Sequence, residues 1–395
     1  MNRIILYSTI AIVLFFAQAC KDQRKQPLER LSASQIFEKF RKNVVLIKNK
    51  SYYQITFDDG TKAWFNEVYD GGINNFYADL SFDENKVKGR AEYDYGTGFF
   101  IDPRGIIATN LHVVAPSKRV IADLDYKNSI IAGLHNESGN AARDMADEVA
   151  YIKKFRPQDS AFVRDSIPAD ITSAMPDVDD GDTDDEEAKT PTDSLNRRID
   201  SFVAYYRFAE NLASHDFTVT VITVELSIAL ENATGNAEEY PCHVFSLSRE
   251  KHIDLSLIQT NDLKLPDGVT GNIDLSGDID APSYTQTITN KDTLKVGTPL
   301  YLIGYNYGPT IANTTSGTKA QLTKGEVTQE NDKYRVLYSI PALPGSSGSP
   351  VFNDYGQIVA IHYSGFTHNE NFNYGILSFY LKEFIDATPN SFFPL

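Results

Sequence analysis

The sequence predicts an all-β fold interrupted by one helical and acidic insertion, and three observations carry that reading. Apolar runs of strand length recur between glycine, proline and aspartate turns, as in Phe217-Thr-Val-Thr-Val-Ile-Thr-Val-Glu-Leu226. Between about 136 and 214 the pattern changes to helical spacing on both sides of an acidic run. Near the C-terminal end, the turn Pro341-Ala-Leu-Pro-Gly-Ser-Ser-Gly-Ser-Pro350 runs straight into β-type sequence, Val351-Phe352 and Gln357-Ile-Val-Ala-Ile361.

Composition narrows the function classes. A chain of 395 residues with 22 Tyr and 23 Phe has ample material for one large or two medium domains. A formal net charge of −16 argues against nucleic acid, which needs a basic face. At the N-terminus, Arg3 precedes an apolar run of 13 residues, Ile4 to Phe16, too short for a comfortable membrane span. Ala17-Gln18-Ala19 then forms a small-x-small cleavage site, so residues 1–19 read as a signal peptide and 20–30 as a polar tether. Cys20, directly after that site, resembles the lipobox cysteine of bacterial lipoproteins. The resemblance implies lipidation at Cys20 and a membrane anchor in the cell envelope. Ordinary cleavage with an incidental cysteine is the alternative. The remaining cysteine, Cys242, then has no disulfide partner within the chain.

Along the chain, residues 31–43 place Leu31, Ile36, Phe37 and Phe40 on helical spacing, with Ser32 or Ser34 as N-cap. Val44 to Ile47 reads as a buried strand, and residues 51–93 as hairpins around Asp59-Gly60 and Asp70-Gly71-Gly72. Gly96 to Val114 reads as strand, tight turn and strand, with His112 near the second strand's end. Val120 to Leu124 reads as a further short strand. Ala141 to Phe155 and Ser194 to Ala213 are helical. Between them, Asp177 to Glu187 holds eight carboxylates in eleven residues, which repel one another and bury nothing. Alternating carboxylates around Gly181 also suit calcium, but the spacing does not fit a twelve-residue EF-hand loop. Strands resume at Phe217 and Cys242. In Lys251 to Gln259, Ile253, Leu255 and Leu257 share one face, and Val296 to Tyr305 and Lys324 to Thr328 follow. Leu381 to Ala387 reads as a terminal helix.

Chemistry centres on Ser347. Glycines at 345 and 348 permit a tight turn and leave the amides of Gly345 and Ser347 to point into one concavity, the geometry of an oxyanion hole. A serine hydroxyl needs a histidine to take its proton and a carboxylate to orient that histidine. Of seven histidines, His112 stands out in Thr109-Asn-Leu-His-Val-Val114, after Gly96-Thr-Gly98.

Together these blocks resemble the trypsin-like (chymotrypsin-fold) serine proteases, especially their bacterial HtrA/Deg-type and glutamyl-endopeptidase-type branches. Gly-Ser-Ser-Gly-Ser-Pro resembles that family's G-[DN]-S-G-[GS]-P signature. Gly96-Thr-Gly with Ala108-Thr-Asn-Leu-His-Val-Val matches its histidine block, and Asp254-Leu-Ser-Leu-Ile-Gln its aspartate block. The resemblance covers roughly 40–125 and 217–385. It implies two six-stranded Greek-key β-barrels, a chymotrypsin-like double barrel with the helical insertion in the first: 31–275 for the N-terminal barrel and 276–395 for the C-terminal one. It also implies peptide-bond hydrolysis of a protein or peptide substrate through an acyl-enzyme, without a cofactor or metal, by Ser347, His112 and Asp254. Asp254 stands 142 positions after His112, an unusual spacing that the insertion accounts for; Asp123 and Asp125 are nearer but lack the surrounding pattern. An S1 pocket of Ala342, His362, Tyr363 and Ser364 is implied as well. His362 stands where glutamyl endopeptidases bind an acidic P1 side chain, although Ala342 replaces an expected threonine hydroxyl. Only 48 residues follow Ser347, too few for a PDZ domain, so regulated chaperone-protease behaviour is not implied. The rival reading is a non-catalytic or latent protease-fold lipoprotein that acts as a binding module.

Overall fold

The computed structural model describes residues 29–70, 76–115, 124–155, 167–168, 171, 192–233, 239–250, 252–269, 271–273, 294–366 and 369–388. Cys20 with its signal segment and the acidic run 177–187 lie outside these residues. The chain divides into two compact units: Met1–Ile47, Tyr95–Asn110 and Ser227–Leu395 form the first, Lys48–Asp94 and Leu111–Leu226 the second.

The strands are β1 (Val44–Phe57), β2 (Lys62–Phe65), β3 (Val68–Asp70), β4 (Phe76–Ala78), β5 (Tyr93–Asp102), β6 (Ile106–Thr109), β7 (Phe217–Ala229), β8 (Glu239–Leu247) and β9 (Ser256–Thr260). They continue as β10 (Pro299–Gly304), β11 (Asn313–Thr314), β12 (Gly317–Thr318), β13 (Gln321–Glu326), β14 (Arg335–Tyr338), β15 (Pro350–Asn353), β16 (Ile358–Phe366) and β17 (Asn369–Leu377). One sheet has the order β2-β1-β5-β6-β9-β8-β7 and curls until β1 also pairs with β7. The other has the order β13-β10-β15-β16-β17-β14, and its edge strands meet: Ser339 N–H donates to Glu326 O at 3.0 Å, and Thr328 N–H to Leu337 O at 3.0 Å. Closure removes the exposed edge that an open sheet would present. The fold is the expected mostly-β arrangement with a helical insertion, its second sheet a six-stranded barrel and its first a curled sheet of seven strands where six were expected.

In the first unit both sheets share one core. Leu46, Phe99, Ile106, Leu255 and Leu257 come from one sheet, and Ile303, Phe352, Ile361 and Ile376 from the other, all buried in a single cluster with Tyr305. Full burial of each such side chain stabilises by about 1.5–3 kcal/mol. Ile253, Leu255 and Leu257 do share a buried face. Helix α1 (Ala33–Phe40) covers this core. Ser32 caps it, accepting from Gln35 N–H while the Gln35 side chain accepts from Ser32 N–H, and Phe40 stacks on Phe352 at 4.4 Å.

The second unit is built around α4 (Leu124–Phe155) and α5 (Thr192–Leu212), with labels α2 for Glu84–Arg90 and α3 for Leu111–Val114. Ile130 and Leu134 of α4 and Leu212 of α5 bury against Ile55, Phe57 and Phe65. Further along, Met145, Val149 and Ile152 pack on Ile199, and the Arg198 guanidinium donates to the buried Glu148 carboxylate at 2.8 Å.

Several expectations are corrected. The stretch taken as hairpins contains α2, begun by Asp83, whose side chain accepts from Asn85 N–H at 3.0 Å. Its periodicity was invisible because Val87 is its one buried side chain. His112 lies in α3, not at a strand end, because β6 stops at Thr109. The proposed strand 120–124 falls mostly outside the described residues, and Leu124 opens α4, which starts well before Ala141.

The β5–β6 turn generates a pH prediction. Burial, the largest influence on the Asp102 carboxyl, pushes its pKa up. Arg104 outweighs it, donating from its backbone N–H and Nε to Oδ1 (both 2.8 Å) and from Nη2 to Oδ2 (2.7 Å), so the carboxyl sits below the usual range. Stability from this depressed pKa is complete above the ordinary carboxylate range and is lost as pH falls through the folded value. Asp102→Asn is therefore expected to lower the melting temperature at roughly pH 7 and to converge with wild type toward roughly pH 2, followed by thermal denaturation.

Candidate active site

The serine turn belongs to the first unit, and its backbone is held peptide by peptide. Pro344 O accepts from Tyr307 N–H at 2.6 Å, Gly345 O from Thr97 Oγ1–H at 2.8 Å, and Ser346 O from Ser349 N–H at 3.0 Å. Ser347 O accepts from Thr97 N–H at 2.8 Å, and Ser346 N–H donates to Leu343 O at 3.0 Å. Strand β16 supplies the rest: Gly348 N–H donates to His362 O at 2.8 Å, and His362 N–H to Ser349 O at 2.9 Å.

A trans peptide carries its C=O and N–H on opposite edges, and cis bonds are absent among the described residues. Pinning Pro344 O therefore turns Gly345 N–H away from Tyr307, and pinning Ser346 O turns Ser347 N–H away from Ser349. Among the described residues neither of these two amides has an acceptor. Two directed, unspent donors beside a half-buried serine can stabilise negative charge on a carbonyl oxygen. The turn demands its glycines: Gly345 and Gly348 have φ of +94° and +89°. A Cβ on Gly348 would lie 2.0 Å from Thr97 O and 2.4 Å from Thr109 Oγ1.

The residues expected to line S1 lie beside this turn. His362 is buried, and its Nδ1 is 2.9 Å from Tyr338 Oη. Burial, with Tyr363 nearby, holds the Tyr338 phenol well above its ordinary pKa, so it remains a neutral O–H group. Ala342 is buried in the approach to the turn. Tyr363 Oη accepts from Arg335 Nη1 at 3.4 Å, and Ser364 pairs with Tyr374 across β16 and β17. The Arg335 guanidinium also lies over the Tyr374 ring at 4.8 Å and bonds Asp332 at 2.7 Å.

Asp254 lies half-buried just before β9, in the first unit, and its carbonyl accepts from Asn110 Nδ2 at 2.8 Å. Ser256 Oγ donates to Asn110 O at 2.9 Å, which fixes the residue two places before His112. His112 itself belongs to the second unit, where the carbonyl of its neighbour Val113 accepts from Asn49 Nδ2 at 3.0 Å. Sequence reasoning passed over Asp94, in that same unit. Burial and then the Glu67 carboxylate push its pKa up, while the nearby His112 imidazole pulls it down. Asp94 lines a cavity of about 350 Å³ with Tyr53, Phe65, Glu67 and Glu92. Its one sequence signal is its place directly before Tyr95-Gly96-Thr97. Of the earlier rivals, Asp123 lies outside the described residues and Asp125 is in α4. Burial pushes the Cys242 thiol up to about 12, so it is not a nucleophile near neutral pH. Among the described residues no cluster of His, Cys, Asp or Glu is placed to hold a metal.

Residues 213–361 match the trypsin-like peptidase domain family, a span that contains Asp254, Gly345 and Ser347 and begins after His112. No curated protein matches the chain. Among solved structures it is similar to the serine endoprotease from Yersinia pestis, with 11% identity over 91% of this chain and 66% of that one, at a TM-score of 0.39. It is also similar to the HtrA-type protease AlgW with tripeptide, with 9% identity over 90% of this chain and 63% of that one, at 0.40. The chain thus spans a little under two thirds of the length of these structures.

The glycine requirement is testable by contrast. Gly348→Ala is expected to destabilise the protein by about 2 kcal/mol or more, through positive φ and collision with Thr97 O. Gly139→Ala, in α4 with open space around it, is expected to stabilise by about 0.5–1 kcal/mol. Urea unfolding of the two variants against wild type measures both.

Proposed function

We propose that this protein is a serine endopeptidase acting through an acyl-enzyme, with Ser347 as nucleophile, His112 as general base and then acid, and Asp254 as the carboxylate that orients His112. The observation that supports it most is the pair of directed, unspent amides at Gly345 and Ser347. In the proposed reaction His112 takes the Ser347 proton while Oγ adds to the scissile carbonyl, and the oxyanion accepts from the two amides. His112 then gives that proton to the leaving amine as the C–N bond breaks. Water repeats the sequence to release the acid and regenerate Ser347. A latent enzyme would be expected to turn a carbonyl into the oxyanion site, whereas Pro344 O is engaged by Tyr307.

An acidic P1 residue fits the proposed S1 side. If Tyr338 O–H donates to His362 Nδ1, the neutral ring carries its proton on Nε2, the tautomer that can donate to a P1 carboxylate. We further propose that Cys20 is lipidated and holds the enzyme at the bacterial envelope. Replacing it (Cys20→Ala) is expected to abolish metabolic labelling by a fatty-acid probe.

The test uses the full-length protein in detergent and a fluorophosphonate, whose phosphorus bonds to the serine Oγ as fluoride leaves. Wild type is expected to label, with labelling lost in Ser347→Ala and His112→Ala. Asp254→Asn is expected to slow labelling by about 10³-fold or more, and Asp94→Asn by less than about tenfold. Folded wild type that fails to label would favour the binding-module reading. In a P1 peptide library, cleavage after Glu or Asp is expected to dominate, and a flat profile would remove the acidic preference.

A further inference from the structure

One residue reaches both sides of the nucleophile's turn without being part of the proposed triad. Thr97 is fully buried in β5, and four hydrogen bonds converge on it. Its Oγ1 donates to Gly345 O at 2.8 Å and accepts from Tyr305 N–H at 3.0 Å. Its backbone N–H donates to Ser347 O at 2.8 Å, and its carbonyl accepts from Thr109 Oγ1 at 2.7 Å. A hydroxyl has one proton to give, and here it goes to the carbonyl of the residue whose amide is the first oxyanion donor.

We propose that Thr97 is a positioning residue for the oxyanion site, acting on the reaction by holding the 345–346 and 347–348 peptides, which adjoin the two peptides that carry the donor amides, rather than by touching substrate. The inference deepens the peptidase reading and rests on it. Gly345 O is the anchor that stops the 345–346 peptide from rotating. That peptide lies between the 344–345 peptide, which carries Gly345 N–H, and the 346–347 peptide, which carries Ser347 N–H, so loosening it would let the two donor peptides turn relative to one another, while Thr97 N–H holds the 347–348 peptide beyond them through Ser347 O. The side chain and backbone of one residue thereby fix the two ends of a three-residue arc. The same Oγ1 takes the Tyr305 amide at the end of β10, so the arc is tied to the strand that leads to Tyr307 and its bond to Pro344 O. Mispositioned oxyanion donors cost transition-state stabilisation and leave ground-state binding largely intact, so the signature is in kcat and not in KM.

The experiment compares full-length wild type with Thr97→Val, which keeps the shape and removes the hydroxyl, and Thr97→Ser, which keeps the hydroxyl. The readouts are kcat and KM on a cleaved peptide, and affinity for the matching peptide aldehyde. Ser347 Oγ adds to the aldehyde carbonyl and the proton moves to its oxygen, which then occupies the oxyanion position. Thr97→Val is expected to lower kcat by about tenfold to a hundredfold with KM changed less than about twofold, and to weaken the aldehyde by a similar factor. Thr97→Ser is expected to stay within about threefold of wild type in both. A folded Thr97→Val with wild-type kcat would overturn the inference, as would a loss that falls on KM, or an equal loss in Thr97→Ser. Should Thr97→Val fail to melt cooperatively, Thr97→Cys replaces it: its weak donor is expected to give an intermediate kcat loss at unchanged KM, and wild-type kcat would overturn the proposal. Wild type that never labels with fluorophosphonate defeats the peptidase reading itself. Wild type that labels alongside fully active Thr97 variants defeats only the role of Thr97.

Discussion

The arrangement of the serine turn depends on the planarity of the trans peptide combined with a limited supply of buried partners. Each carbonyl pinned on one edge of a peptide dictates where the amide on the other edge points. Thr97 supplies two of those pins and Tyr307 a third, and Tyr307 does so at φ +58°, a conformation costly for a non-glycine residue. The interlock extends to neighbours that have no chemistry of their own. The Thr97 carbonyl occupies the space a Cβ on Gly348 would need, and a Cβ on Gly304 would lie 2.0 Å from Ser349 Oγ and 3.2 Å from Thr97 Oγ1. Glycines at 304 and 348 are thus requirements of β5 and the serine turn lying in contact, not of turn formation alone.

The helical insertion is stabilised on its own terms. It has two apolar clusters, one pairing α4 and α5 with the far end of β1 and with β2, the other lying between the helices themselves. The buried Glu148 carboxylate is paired with Arg198, which offsets the cost of taking that charge out of water. The same unit carries α3 with His112, and Asp94 with its neighbours Glu67 and Glu92. Burial and the like charges of Glu67 and Glu92 hold the Asp94 carboxyl above its usual range against the opposing pull of the His112 imidazole.

Where sequence and structure agree, a local rule was in force. Ser32 followed by Gln35 is a capping box written in four letters, and Gly-Ser-Ser-Gly-Ser-Pro specifies its turn because only glycine takes the positive φ at 345 and 348. The alternation of Ile253, Leu255 and Leu257 showed one buried face, although hydrogen-bonded pairing with the neighbouring strands begins only at Ser256. Disagreements arose where a tertiary partner overrode the local pattern. Thr109-Asn-Leu-His-Val-Val reads as continuous strand, but Asn110 is consumed by Asp254 and Ser256, and the ladder stops. Asp94 had no local mark, since its significance is its burial and the charges that fold around it.

On the proposed reading, an acidic P1 preference has to be reconciled with a strongly acidic protein. A net charge of −16 repels anionic peptides at long range, but free charges separated by more than about 10 Å are largely screened at 0.1 M salt. What acts on a bound carboxylate is the near field, and there the balance differs. Arg335 brings a guanidinium to Tyr363, with part of its charge already spent on Asp332. His362 and Tyr338 add a hydrogen-bonded pair of oriented dipoles in surroundings that exclude water. Such dipoles lose nothing to reorganisation when a carboxylate arrives, and they strengthen as the local dielectric falls. On the proposed reading, acidic selectivity in this protein rests on the buried His362–Tyr338 pair, with the Arg335 guanidinium at Tyr363 adding positive charge.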